Sequence, residues 1–222
     1  LAGKVGFVIP AATGHWEANV AGADTSTTRT GVGDPILKLS INFVGSPALT
    51  PGEFRDYRQS TVLGASFVVG IPAGQYFPDR LVNLGSNRWT FAPRLGASRV
   101  IGRWVLEAYA GAILFTTNHD FYGGRTLTQD PFFDVQSHVI YGIRGRDFWI
   151  AGSAGYGWGG RSTIDDARKG RLENVRLSAV LRLPLARGHA LKLAYINGLR
   201  TGLGADFDTF QLAYQYAWIA GR

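Results

Sequence analysis

The chain has 222 residues, 45% of them hydrophobic and 18% charged, with a formal net charge of +7 and neither Cys nor Met. Without Cys it can form no disulfide and no thiolate metal site. No run approaches the roughly 18 consecutive apolar residues of a membrane-spanning helix, so a helical membrane protein is excluded while soluble sandwiches and membrane barrels stay open.

The chain opens at Leu1 with no basic or apolar leader, and a processed or truncated N-terminus is the expectation. One or two strands fall within residues 4–22, followed by a polar connection over 21–34. Over residues 36–44, Leu37, Leu39, Ile41 and Phe43 alternate with Lys38, Ser40 and Asn42, the pattern of a strand with one apolar face. A medium-length connection leads to residues 61–71, where Leu63, Ala65, Phe67, Val69 and Ile71 oppose Gly64, Ser66 and Gly70. A long loop over 72–87 precedes a strand over 88–100, with Trp89, Phe91 and Leu95 against Arg88, Thr90, Arg94, Gly96 and Ser98. Strands near 103–117, 147–159 and 189–197 alternate less cleanly. Phe133, Val135, Val139, Tyr141 and Ile143 oppose Asp134, Gln136, His138, Gly142 and Arg144. Val175, Leu177, Leu181 and Leu183 oppose Asn174, Arg176, Ser178 and Arg182, and Phe210, Leu212, Tyr214, Tyr216 and Trp218 line the last strand.

About ten strands result, several of ten to fifteen residues, longer than the usual ~5–6 of globular sheets. Tight turns at 100–103, 144–147 and 186–189 alternate with long connections at 117–131, 159–171 and 197–208. Short turns at one end and long loops at the other describe a bacterial outer-membrane β-barrel. The expectation is an all-β, antiparallel transmembrane barrel, a single domain over 1–222 that lacks its N-terminal part.

The polar face, rich in Gly, Ala and Ser with scattered Arg, suits an enclosed lumen better than the wet face of a sandwich. Trp89, Trp104, Trp149, Trp158, Tyr216 and Trp218 lie near strand ends on the apolar side, as interfacial girdles do. Lys38, Arg88, Arg94, Arg144, Arg176, Arg182 and Lys192 then point inward with fewer acids, chiefly Glu107 and Asp134. Turned to lipid, each cation would cost about 2–4 kcal/mol at the midplane. Inside, they either favour anions or pair across the barrel and stiffen it, and the sequence leaves both open.

Gly31-Val32-Gly33-Asp34-Pro35 opens one strand, Ile71-Pro72-Ala73-Gly74-Gln75-Tyr76 begins a loop, and Asn83-Leu84-Gly85-Ser86-Asn87-Arg88-Trp89-Thr90-Phe91-Ala92-Pro93 enters another strand. With the spacing of Glu107, Asn118, Asp120 and Tyr122, this combination resembles the outer-membrane family of the MetA pathway of phenol degradation. The resemblance is strong over about 30–120 and looser beyond. It implies a barrel of about twelve strands in the complete protein, an outer-membrane address and uptake of aromatic or other apolar compounds. It implies no catalytic residues. Ending on Ile219-Ala220-Gly221-Arg222 instead of an aromatic departs from the pattern.

The motif residues read mainly as structural. Asp34 bonds nearby amides, and Pro35 opens a strand where its missing N–H is harmless. Gly74 and Gly85 supply positive φ, while Asn83 and Asn87 satisfy loop backbone. Other chemistry is poorly supported. Gly31–Asp34 lacks the lysine and helix of a phosphate loop. His15, His119, His138 and His189 have no ligand spacing, and Asp165-Asp166 reads as solvated loop, so no metal or cofactor is expected. Asn118-His119 invites comparison with lipid-modifying barrels, but no serine stands in a nucleophile motif. The dispersed cations do not form a nucleic-acid surface. The reading is therefore a passive outer-membrane channel for small hydrophobic or aromatic solutes, anions included, with membrane lipids and the solute as partners and no enzymatic role. A structural or adhesive barrel is the competing reading, and a lipid-modifying enzyme the third.

Overall fold

The computed structural model describes residues 2–20, 23–47, 49–50, 52–53, 57–144, 147–201 and 208–218. Sixteen strands run through them: β1 (Ala2–Val8), β2 (Ala11–Val20), β3 (Ala23–Val32), β4 (Ile36–Val44), β5 (Thr61–Gly70), β6 (Thr90–Ile101), β7 (Trp104–Phe115), β8 (Asn118–Phe121), β9 (Arg125–Gln129), β10 (Phe132–Arg144), β11 (Phe148–Gly159), β12 (Ser162–Ile164), β13 (Ala167–Arg168), β14 (Leu172–Ala186), β15 (His189–Thr201) and β16 (Thr209–Tyr216). Ten of these form one antiparallel meander in the order β1-β4-β5-β6-β7-β10-β11-β14-β15-β16, the wall of a β-barrel.

This wall is built inside out relative to a soluble core. Among the described residues the only buried apolar side chains are Ala151 and Ala190, while Asn118 and Asp134 are buried polar ones. Leu95, Phe133, Val135, Ile150, Leu193 and Leu212 all stand exposed. A water-soluble sandwich would hide such residues, whereas a wall bathed in acyl chains presents them outward. Alternation produces the arrangement directly. On β10, Phe133, Val135 and Val139 are exposed, Asp134 is buried, and Gln136 and His138 are half-buried. Ladder pairing then carries each face from strand to strand, because partners across a sheet share a side.

The short connections gather at one end. Gly102 turns β6 into β7 with φ 58°, and Gly188 turns β14 into β15 with φ 79° next to a register shift between Pro184 and Ala186. The β10–β11 turn at Gly145 and Arg146 and residues 202–207 lie outside the described residues; the expected loop over 197–208 begins later than its bounds, because β15 runs to Thr201.

The opposite end is more ordered than the sequence suggests. The expected loop over 21–34 holds β3, which pairs with β2 from Ala11↔Val32 to Val20↔Ala23. Together they form a two-stranded arm that continues the β1/β4 hairpin past the wall. One side is polar, with cross-strand bonds such as Thr13–Thr30 at 2.7 Å and His15–Thr28 at 2.8 Å, and the other mixes Ala12, Gly14, Trp16 and Gly31 with Thr27 and Arg29. The loops over 117–131 and 159–171 likewise fold into hairpins, β8/β9 and β12/β13. These join through β9–β12 into a four-stranded sheet of their own. Trp149 also departs from expectation: it pairs with Gly142 and Arg182 and so belongs to the inner face, not to the outer girdle. Trp89 and Trp158 mark the loop end of the outer face, and Trp104, Tyr216 and Trp218 the turn end.

Leu95→Arg is expected to lower folding stability in lipid vesicles by about 2–4 kcal/mol, the cost of a cation on the lipid face. Ser98→Lys, on the inner face of the same strand, should change it by under about 1 kcal/mol. Urea unfolding followed by tryptophan fluorescence reads both, and equal costs would contradict the assignment of faces.

Candidate functional site

The register sorts the inner wall into tiers. One tier runs Ser40, Ser66, Arg94, Gly111, Asp134, Gly157 and Asn174 across β4 to β14. Within it Arg94 Nη2 donates to both carboxylate oxygens of Asp134, at 2.7 and 2.8 Å. The pair spans β7, where the intervening residue is Gly111. A Cβ on Gly111 would stand 3.1 Å from Arg94 Nε, so the bare backbone is what lets the guanidinium cross. Gln136 Nε2 adds a bond to Asp134 Oδ1 at 2.8 Å. A carboxylate only 9% exposed is thereby paired, as a buried charge must be.

Toward the turn end come two hydrogen-bonded tiers. Tyr109 lies over Gly96 and donates its hydroxyl to Glu107 Oε2 at 3.0 Å. His138 shares a 2.6 Å bond with Ser153 Oγ and meets the Tyr109 ring edge-on at 5.4 Å. Below them Val100, Val105, Ile140, Ala151, Val180 and Ala194 are successive ladder partners. They form an apolar belt on the inner face. The last tier holds Gly142, Trp149, Arg182 and Lys192.

Lys38, Arg88, Arg94, Glu107, Arg176, Arg182 and Lys192 thus all stand on the inner side. The side chain of Arg144 lies outside the described residues. Arg94 and Arg182 find their carboxylate partners along the wall and not across it. Arg182 and Lys192 are direct cross-strand neighbours, a repulsive arrangement unless each charge is met elsewhere. Arg182 donates to the Asp147 carbonyl and lies 3.6 Å from its carboxylate, while Lys192 sits 5.9 Å from the centre of the Trp149 ring. Lys38 makes no ion pair among the described residues. Arg88, just before β6, rests over the Phe115 ring and donates from Nη2 to Gln129 at 2.5 Å, leaving buried Nε and Nη1 without a partner among the described residues. Burial lowers its pKa.

The motif residues meet in a polar knot at the loop end. Asp34 accepts from the Gly74 amide at 3.0 Å, the Ser86 amide at 2.8 Å and the Ser86 hydroxyl at 2.5 Å. These partners are 40 and 52 residues away, so Asp34 does not merely bond its own turn. Pro35 follows at the gap before β4, and its carbonyl accepts the Ile71 amide. Gly74 and Gly85 are not at positive φ. They are needed because backbones touch: a Cβ on Gly74 would come within 2.5 Å of Gly33 C, and one on Gly85 within 2.8 Å of Gly74 C. The Gly33 amide in turn donates to the Pro10 carbonyl. Asn83 clasps Phe77 and Arg80, and Asn87, at φ 52°, donates to the buried Asn118. Asn118 also bonds Tyr76 and the Ser86 carbonyl, tying the 72–89 loop to β8.

The family model described as "Putative MetA-pathway of phenol degradation" matches residues 4–183. Among solved structures the chain is similar to an outer membrane channel from Pseudomonas putida F1, with a TM-score of 0.75 at 22% identity, covering 95% of this chain and 74% of that one. No curated protein matches it.

Two outcomes follow from this geometry. Arg94→Ala strands a buried carboxylate and should cost about 3 kcal/mol or more, whereas Arg94→Ala with Asp134→Ala should cost less than the single change. Chemical unfolding reads both. Asp34→Ala should speed hydrogen exchange at the Gly74 and Ser86 amides about a hundredfold, equivalent to about 2–3 kcal/mol, while wall amides keep their protection.

Proposed function

The chain belongs to the family of the MetA pathway of phenol degradation, and on that premise we propose that it is a passive outer-membrane channel for small hydrophobic or aromatic solutes. The observation that carries the reading is the layered inner face. Charged and hydrogen-bonding tiers around Arg94, Asp134, Tyr109 and His138 give way to the apolar belt from Val100 to Ala194, then to Trp149 with Arg182 and Lys192. A belt of aliphatic side chains between polar tiers resists hydrated ions and accepts an apolar body. The flanking cations, in excess over Glu107 and Asp134, bias the passage toward anions.

The outer face supports an outer-membrane location, since exposed Leu, Val, Phe and Trp of this density need hydrocarbon around them. The fold likeness to an outer membrane channel points the same way. In this reading the Asp34 knot holds the 72–89 loop at the entrance, and the wall supplies the seal.

Reconstituted in planar bilayers, the protein should pass ions with an anion-to-cation permeability ratio above one. Lys38→Gln and Lys192→Gln should each lower that ratio, because neither lysine is tied to a carboxylate among the described residues. Arg94 is a poorer choice, being matched by Asp134. No conductance, or a ratio indifferent to both changes, would overturn the proposed role of the lining.

A further inference from the structure

Resting on the channel reading, we propose that the inner wall at β1, β4 and β5 carries a binding station for a small, doubly charged oxyanion of the phosphate type. Lys4 and Lys38 supply its charge, and the hydroxyls of Ser40 and Ser66 its neutral donors.

The register sets these groups side by side. Lys4 on β1 is the direct ladder partner of Ser40 on β4, and Ser40 is the partner of Ser66 on β5. Ladder partners share a face, so Lys4 extends the Ser40–Ser66–Arg94 tier around the inner wall. Lys38 stands on the same face two residues from Ser40, one step nearer the loop end. Opposite positions lie about 5 Å apart and diagonal ones about 7–8 Å, within reach of a lysine chain.

Space for an ion is present at the same place. A recess of about 200 Å3 is lined by Lys38, Ser40, Ser66 and Arg94. Asn42 and Tyr109 bound it on the turn side. Asn42 lies over Gly64, where an added Cβ would come within 2.5 Å of Asn42 Oδ1, and the Tyr109 ring lies over Gly96, within 2.6 Å of one. The volume falls below the roughly 300 Å3 at which sites for drug-sized ligands begin, and it suits an ion with a few waters.

The charge of the recess selects the ion. No carboxylate lines it among the described residues. Asp134 and Glu107, on the strands beyond, are already engaged, by Arg94 at 2.7 Å and by the Tyr109 hydroxyl at 3.0 Å. Lys4 and Lys38 make no ion pair among the described residues. Two positive charges beside two hydroxyls call for an anion with two negative charges. An ammonium is a point charge with three donors, which fits a tetrahedral oxyanion better than it fits a planar carboxylate.

Inorganic phosphate at mildly alkaline pH, where it carries two charges, is the probe, and acetate is the singly charged comparison. Equilibrium binding to the detergent-solubilised full chain should saturate for phosphate and be about tenfold or more weaker for acetate. Lys4→Gln and Lys38→Gln should each weaken phosphate about tenfold, and Ser66→Ala about threefold through the loss of one neutral hydrogen bond. Lys192→Gln, in the turn-end tier, should leave phosphate binding unchanged. Heat-modifiable gel migration shows that each variant folds, and the two lysine changes test the site independently of each other. Weakening by Lys192→Gln equal to that by Lys4→Gln and Lys38→Gln would mean a diffuse field and no station. That result, or phosphate bound no tighter than acetate, overturns the proposal. Chloride conductance of the same preparation reads the channel separately. Current without phosphate saturation removes the station and spares the channel, and saturation without current does the reverse.

Discussion

Everything in this molecule depends on an apolar solvent outside the wall. A strand in hydrocarbon has no water to satisfy its amides, so the backbone must close its bonds within the ladder. Side chains then divide by position alone: every second residue faces acyl chains, and its neighbours face the interior. The near absence of buried aliphatic side chains follows from this, and so does the burial of Asp134 and Asn118. Packing energy, which in a soluble domain sits at the centre, here lies at the perimeter. The interior is free to hold chemistry that a core would exclude.

That freedom carries its own requirements, and the lining meets them locally. Arg94 reaches Asp134 over a glycine, Tyr109 turns its hydroxyl onto Glu107, and His138 leans on Ser153. Arg182 and Lys192 would repel one another as ladder partners, but each has a separate companion in Asp147 and Trp149. None of these contacts bridges the interior. The side chains are held back along the wall, which stiffens it.

Much of the wall was legible in the sequence because lipid imposes a contrast at every step of the alternation. The strands from Ile36 to Val44 and from Phe132 to Arg144 could be phased residue by residue for that reason. Where the chain leaves the membrane the contrast vanishes, since both faces of a strand meet water. The Asp24–Thr30 stretch of β3 and the short strands β8, β9, β12 and β13 therefore look like loops in the sequence, although the Thr-rich run from Thr25 to Thr30 carries a weak strand signal. Aromatic character alone assigns Trp149 to the outer girdle, whereas parity with Ser153 and Gly155 puts it on the inner face. The Arg94–Asp134 pair and the Gly33, Gly74 and Gly85 contact depend on register and on loop closure over dozens of residues. Neither is visible in local spacing. The resemblance marked the right residues, and the structure supplies their physical reason.

Among the described residues the β2/β3 arm shares no ladder with its neighbours beyond its own hairpin. Sequence can therefore drift, lengthen or shorten at its tip without re-phasing a single wall strand. A barrel whose protruding end must change while its wall stays constant has, in this projection, a place to do so.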